Sequence, residues 1–305
     1  MSVVGFDTSN YTTSIACFDG VDGVNCSRLL PVKPGELGLR QSDAVFHHTK
    51  SLPELSGRLF SHVEGDIEAV GVSTRPRAVE GSYMPCFMVG YSHAKMLSDA
   101  YRVPLFEVSH QQGHVAASLW SAGRLDLLDK PHLAWHLSGG TTELLLVEPE
   151  GKNVKCSRIG GTTDISAGQL IDRTGVMLGL PFPAGKHLDA LSGEAPGREV
   201  FKVKCPEMEF SLSGVQNKVQ QFHKGDNAET AAYALRCVAY AVRKATENAL
   251  KAYPGLEVVF SGGVASNSML RQLTADLHPI YCAPQYSTDN AMGVAVLTKR
   301  LMEGI

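Results

Sequence analysis

VVGFDTSNYTTSIACF, residues 3–18, decides the fold. Val3–Phe6 reads as a short buried strand, Asp7-Thr8-Ser9-Asn10 as a tight polar turn, and Thr12–Phe18 as a returning strand. The same order recurs at Leu133–Leu137, Ser138-Gly139-Gly140-Thr141 and Glu143–Val147. Two copies of strand, Ser/Thr/Gly turn and strand, roughly half a chain apart, point to an internal duplication. Each half is expected to be a mixed sheet with helices packed on it. The turns are expected to meet across a cleft, where backbone N–H groups bind anions.

Working outward, a helix is expected at 53–64, a strand at Ala69–Ser73, a helix at Val89–Tyr101 and a strand at Pro104–Val108. The second half holds a Gly-rich stretch at 160–168, a helix at Ala167–Leu178 and the turn Leu180–Gly185. Ala228–Ala252, rich in Ala, Leu, Arg and Lys without Gly or Pro, is the clearest helix. Val258–Phe260 is a strand running into Ser261-Gly262-Gly263, and helices are expected at Asn267–Asp276 and 289–302. Strand, glycine turn and helix in repeated order make an α/β layout with ligands at strand ends. The expected division is a first lobe of 1–108 completed by a C-terminal helix, 290–305. The second lobe, 109–289, is expected to carry the metal and nucleotide site.

The chain has 305 residues, enough for one large core or two ordinary ones. Its 44% hydrophobic and 19% charged content is that of a folded globular protein. A net charge of −3 gives no general grip on phosphate, so an RNA substrate would need a local patch or a partner. Seven cysteines form no C-x-x-C pair and fit reduced thiols of a cytoplasmic protein. The first residues lack the basic and apolar regions of a signal peptide, and no apolar run approaches the ~20 residues of a membrane span.

His110-Gln111-Gln112-Gly113-His114 is the most chemical stretch. On a helix the two imidazoles lie about 6 Å apart along one face and can reach one metal ion. They can equally be two polar residues near a helix start. Gln111 stands where a zinc peptidase of the H-E-x-x-H type has its glutamate base, which disfavours peptide hydrolysis. A carboxylate from elsewhere would complete a two-His, one-carboxylate set. The two glycine turns, each after an apolar strand, allow backbone to approach a phosphate or carboxylate. Singly each could be a plain loop; together, in a duplicated layout, they favour a nucleotide cleft. No P-loop motif occurs.

In this order these stretches resemble the TsaD family of tRNA threonylcarbamoyltransferases, whose archaeal and eukaryotic members act in the KEOPS complex. The resemblance covers nearly the whole chain. His110–His114 matches the family's metal motif, and Leu137–Thr142 is similar to its V-S-G-G-x-T loop. Asp164, Ala167, Gly168 and Asp172 follow its D-x-A-x-G-x-x-x-D pattern, and Pro183-Ala184-Gly185 its P-G-G turn. Phe210–Gln216 resembles F-S-F-S-G-L-K, Gly262–Arg271 resembles G-G-V-x-x-N-x-x-L-R, and Thr288-Asp289-Asn290 part of T-D-N-G-A-M.

The resemblance implies an actin-like ATPase (ASKHA) fold of two duplicated ribonuclease-H-like lobes with mixed sheets and an interlobe cleft. It implies one divalent metal, iron or zinc, held by His110, His114 and Asp289. It implies that Ser138, Gly139, Gly140, Thr141, Asp172, Gly185 and Asn267 contact threonylcarbamoyl-AMP or an adenine nucleotide, and Asp7 is counted with them. The implied reaction passes the threonylcarbamoyl group to N6 of the adenosine beside the anticodon in tRNA, releasing AMP. Implied partners are tRNA, TsaB-like and TsaE-like helper proteins, and a second subunit in a homo- or heterodimer.

The chain departs from the family's G-I-E-T-S-C-D-E-T opening, carrying Gly5-Phe6-Asp7-Thr8-Ser9-Asn10-Tyr11-Thr12-Thr13. Tyr11 and Thr12 replace two acidic residues. Arg75-Pro76-Arg77-Ala78 stands for G-P-G-L, and Ala291 for the final glycine. Arginines in place of glycines are expected to change the shape and charge of the cleft; they can also be ordinary surface charges. Two alternatives remain open: carbamoyl transfer to another acceptor, and a non-catalytic nucleotide-binding scaffold. His47 and His48 are expected in a solvated loop, and His136 as a packed strand residue.

Overall fold

The computed structural model describes residues 1–31, 39–63, 65–195, 197–286 and 290–304. In chain order its elements are β1 (Ser2–Thr8), β2 (Thr12–Phe18), β3 (Gly23–Leu29), α1 (Gln41–Phe60), β4 (Ile67–Arg75), α2 (Phe87–Tyr101), β5 (Leu105–Ser109) and α3 (His110–Ser121). Then follow β6 (His132–Leu137), β7 (Thr142–Glu150), β8 (Asn153–Thr162), α4 (Ala167–Met177), α5 (Gly185–Ser192), β9 (Glu209–Phe210) and α6 (Ser213–Phe222). Last come α7 (Asn227–Ala252), β10 (Val258–Ser261), α8 (Ser268–Thr274), β11 (Ile280–Tyr281) and α9 (Met292–Met302).

The chain divides into two compact units. The first holds Met1–Lys130, Glu148–Cys156 and Asp289–Ile305, the second Pro131–Val147 and Ser157–Thr288. This differs from the expected 108/109 boundary, because α3 goes with the first unit. Its packing partner is α9, which returns to the same unit.

In the first unit the strand order is β3-β2-β1-β4-β5, with β1–β2 and β2–β3 antiparallel and β1–β4 and β4–β5 parallel. In the second it is β11-β10-β6-β7-β8-β9, with β6–β7 antiparallel and β6–β10 and β10–β11 parallel. Read as β8-β7-β6-β10-β11, the second sheet repeats the order of the first and adds β9 at one edge. The duplication seen in the two strand–turn–strand stretches is thus carried through the whole of each sheet.

Side chains alternate across a strand. Val4, Phe6, Val70 and Val72 share a core with Leu52 and Leu55 of α1 and Val89 and Ala94 of α2. Each buried leucine contributes roughly 1.5–3 kcal/mol. α1 starts twelve residues before the expected Pro53. Proline favours the first turn of a helix, but the buried positions Ala44, His48, Ser51, Leu52, Leu55 and Leu59 continue at helical spacing through it. Burial of that stripe outweighs the one backbone bond that Pro53 cannot donate. The expected solvated loop at His47 and His48 is therefore helix, and His48 is fully buried. Glu64, at the end of the expected helix, lies outside the described residues.

The second core is built around α7. Asp226 caps it by accepting from the Glu229 amide at 2.9 Å. Ala231, Ala234, Val238, Ala241, Val242, Ala245 and Ala249 form its buried stripe. Trp135, Phe260 and Phe210 fill the same core, and Trp135 Nε1 donates to Thr246 Oγ1 at 2.8 Å. Small residues on α7 let the helix lie close to these large rings.

α3 and α9 cross at Gly113 and Gly293. A Cβ at Gly293 would lie 1.8 Å from the Gly113 carbonyl oxygen and 2.7 Å from the Ala117 nitrogen. Backbone cannot yield as a side-chain tip can, so Gly293→Ala is expected to cost at least about 2 kcal/mol in urea unfolding. Gly57, on the exposed face of α1 with nothing near its Cβ position, is the control. There Gly57→Ala should be neutral or stabilise by about 0.5–1 kcal/mol.

Candidate functional site

The first constellation lies wholly in the first unit. α3 starts at His110 because Ser109 and Gln112 form a capping box. Ser109 Oγ accepts from the Gln112 amide at 3.2 Å, and Gln112 Oε1 accepts from the Ser109 amide at 2.8 Å. Gln112 Nε2 donates to the Val154 carbonyl at 2.7 Å, so this side chain is spent on structure. Helical geometry from residue 110 puts His110 and His114 on one face, with Nε2 atoms 3.0 Å apart. His110 Nδ1 lies 2.9 and 3.1 Å from the two carboxylate oxygens of Asp7. Ser73 Oγ, from β4, donates to Asp7 Oδ1. Asp7 and Ser73 have no exposed surface, and His114 is buried.

Asp7, expected among the substrate contacts, has hydrogen bonds to Ser73 and His110. Asp7 and Thr8 belong to β1, and the turn itself is 9–11. The carboxylate points into the unit and is engaged by Ser73 and His110. The expected third metal ligand, Asp289, lies outside the described residues. Among the described residues no group of three or more His, Cys, Asp and Glu side chains is arranged to hold a metal ion.

Around this cluster the β1–β2 turn is tied down. Thr8 Oγ1 donates to the Cys86 carbonyl and accepts from the Gly90 amide, both at 3.0 Å. Gln41 Nε2 donates to Asn10 Oδ1 at 2.6 Å, and Gln41 Oε1 accepts from the Cys86 amide at 3.3 Å. Tyr11 is 40% exposed, so this replacement faces outward. Arg75 and Arg77 are exposed, and the Pro76 carbonyl between them accepts from the Gln111 amide at 3.0 Å. His48 takes a tertiary role that its sequence surroundings do not display. Its Nδ1 shares a 2.8 Å hydrogen bond with Thr13 Oγ1. Its only sequence signal was helical spacing with Leu52 and Leu55.

The second constellation lies in the second unit. The Ser138–Thr141 turn closes through Ser138 N–H to the Thr141 carbonyl at 2.8 Å and Thr141 N–H to Ser138 Oγ at 3.1 Å. Gly139 and Gly140 are exposed. The N-terminus of α4 backs the turn: Ser166 Oγ donates to the Gly139 carbonyl at 2.6 Å, and the Ala167 amide donates to Thr142 Oγ1 at 2.8 Å. A Cβ on Gly168 would stand 2.5 Å from both Gly139 Cα and the Ser138 oxygen, so glycine is required for this approach. Four residues beyond Gly168 on α4, Asp172 accepts from the Ala184 amide at 2.9 Å, which holds the start of α5 at Gly185. Burial pushes the Asp172 carboxyl above its ordinary range, against the pull of that amide.

Asn267 caps α8, its Oδ1 accepting from Leu270 N–H at 3.0 Å, while its Nδ2 donates to Asp189 at 2.9 Å. Asp189, which the sequence did not single out, also accepts from the Ser268 amide and hydroxyl. Both polar ends of Asn267 therefore serve the α5–α8 joint. Asp164 gathers Ser211, Leu212 and Ser213; these bonds outweigh burial and hold its carboxyl down at about 2. In the other glycine turn Ser261 Oγ donates to the Trp135 carbonyl at 2.7 Å, and Gly262 has φ of 93°.

The two sheets with their repeated strand order define the class. Solved structures with this architecture include a full-length HypF, at TM-score 0.62 and 16% identity, covering 99% of this chain and 46% of that one. A ROK family glucokinase from Streptomyces griseus matches at TM-score 0.56 and 11% identity over 98% of this chain and all of the other. The present chain spans about half the length of the HypF chains it matches. These likenesses establish the actin-like ATPase fold.

The family follows from closer relatives. The model of the family described as TsaD, tRNA N6-adenosine threonylcarbamoyltransferase, matches residues 37–296. A tRNA N6-adenosine threonylcarbamoyltransferase of Streptococcus suis is 33% identical over 248 residues, 76% of this chain and 70% of that protein. One from Persephonella marina is 31% identical over 322 aligned positions, 97% of this chain and 88% of that protein. The chain belongs to the TsaD family. No helix among the described residues is long and apolar enough to cross a membrane.

Burial lowers the His48 imidazole from 6.5 to about 4, against the opposing pull of the Ser9 backbone and the Asp7 carboxylate. The unfolded chain then binds more protons between those values, so the contribution of neutral His48 is full above pH ~6.5 and is lost as pH falls toward 4. Urea unfolding should show wild type losing up to ~1.4 kcal/mol per pH unit in this window relative to His48→Asn. Parallel curves for the two proteins would remove the assignment.

Proposed function

We propose that this protein transfers the threonylcarbamoyl group of threonylcarbamoyl-AMP to N6 of the adenosine adjacent to the anticodon of tRNA. Family membership over most of the chain supports the reaction. The observation that carries the site is the pair of convergent His110 and His114 Nε2 atoms, backed by Asp7. Their 3.0 Å separation is compatible with two nitrogens bound at about 2.1 Å to one ion. His110 and His114 could together hold one divalent metal, iron or zinc, and the family resemblance suggests Asp289, outside the described residues, as its third ligand. Bound there, such an ion supplies Lewis-acid stabilisation of negative charge.

The chain's own groups have complementary tasks in this reading. Gly139 and Gly140, exposed residues in a turn stiffened by Ser138, Thr141 and Ser166, let backbone donors approach an anionic part of the adenylate. Asp172 and Gly185 bring a carboxylate and an unobstructed backbone to the ribose or base. Asn267 acts through the α5–α8 joint that it holds with Asp189. A net charge of −3 gives the chain no general grip on tRNA phosphates, which favours help from TsaB-like and TsaE-like partners, in a homo- or heterodimeric assembly in the cytoplasm.

A second reading is favoured by Tyr11 and Thr12 at the two acidic positions: carbamoyl transfer to a different acceptor. Purified protein mixed with threonylcarbamoyl-AMP, tRNA and the helper proteins separates the two. The expected outcome is threonylcarbamoylated adenosine in tRNA. His110→Ala should reduce it by more than the ~10–100-fold typical of changes one shell away from a metal. AMP release with unmodified tRNA points to the second reading, and no turnover under any combination ends both. Gly168→Ala, by pushing on the Ser138–Gly139 backbone, should weaken adenylate binding about tenfold or more in calorimetric titration. Unchanged affinity would remove the Ser138–Thr141 turn from the proposed site.

A further inference from the structure

Asp7 is a carboxylate with no exposed surface, at the end of β1. A buried charge persists only when donors surround it. Two are present: Ser73 Oγ on Oδ1, and His110 Nδ1 at 2.9 and 3.1 Å from Oδ2 and Oδ1. His110 Nδ1 lies within reach of both carboxylate oxygens, and Ser73 donates to one of them, which is the geometry of an Nδ1–H donated to the carboxylate. In neutral imidazole the other nitrogen then carries a bare lone pair. That nitrogen is the one facing His114 Nε2 at 3.0 Å. A free imidazole can carry its proton on either nitrogen, and only one of these forms leaves Nε2 able to bind an ion.

We infer that Asp7, oriented by Ser73, is a positioning residue that fixes His110 as its Nδ1-protonated tautomer and aims its Nε2 lone pair at the point shared with His114. Asp7 reaches no substrate in this arrangement; it acts through His110. Ser73, on β4, keeps the carboxylate plane turned toward α3. The consequence for metal binding rests on the ion site proposed above, whereas the tautomer itself does not.

Two measurements on the full chain test this. Nitrogen-15 NMR of histidine-labelled, metal-free protein at neutral pH, with His110 assigned by loss of its signals in His110→Ala, reads the tautomer directly. The wild type should show a protonated Nδ1 and a bare Nε2 at His110, and Asp7→Ala should release it into a mixture of forms. Titration with cobalt(II), followed by absorbance, should show Asp7→Asn weakening affinity roughly 10–100-fold at unchanged stoichiometry. Ser73→Ala should give the same changes at smaller amplitude, and it serves where Asp7→Ala does not fold. His110 protonated at Nε2 in the wild type, or cobalt affinity equal in wild type and Asp7→Asn, overturns the inference and leaves the ion site standing. A wild type that takes up no cobalt while showing the Nδ1 tautomer, lost in Asp7→Ala, upholds the inference and removes the ion site.

Discussion

The organisation of the first unit turns on one buried carboxylate. The buried Asp7 carboxylate needs hydrogen-bond donors, and those donors come from β4 and α3. Three elements distant in sequence are thereby brought to one point: residue 7, residue 73 and residue 110. The same requirement explains why α3 must begin at His110. A start one turn later would leave His110 off the helix and its Nδ1 unable to face the carboxylate while Nε2 faces His114. The Ser109–Gln112 capping box secures that start, and the Gly113–Gly293 approach seats the helix on α9.

The second unit solves a different problem, that of keeping a glycine turn open and yet rigid. Gly139 and Gly140 have no side chains to hold them, so neighbouring elements do so. Ser166 accepts from the Gln169 amide as a helix cap and donates to the Gly139 carbonyl with the same hydroxyl. One residue thereby links helix initiation to turn geometry. Asp172 extends the support to the start of α5, and Asp189 with Asn267 continues it to α8. Hydrogen bonds from the helix end tie the turn to α4.

The departures from the family pattern acquire physical content in this frame. Asn10 gives Gln41 an oxygen to bind, which draws the β1–β2 turn toward the start of α2. Tyr11 projects outward, whereas Thr12 is buried within the strand. Pro76 between two exposed arginines lends its carbonyl to α3. These replacements leave Asp7, His110 and His114 together and alter the surroundings of the turn.

Much of the architecture was written in local pattern. Apolar runs ending in Ser/Thr/Gly turns announced both hairpins, H-x-x-x-H announced the histidine pair, and the alanine-rich stretch announced α7. These features depend on neighbours within a few residues, which sequence spacing displays. What sequence alone misread depended on distant partners. Pro53 suggests a helix start by local preference, whereas the buried stripe that carries α1 through it exists only against the sheet. His48 passed for a loop residue because its burial and its bond to Thr13 come from packing across 35 positions. The hydrogen-bond partners of Asp7 and Asn267 likewise come from tertiary neighbours, which residue spacing does not display. Residue type and spacing determine what a group can do; only folding decides what it meets.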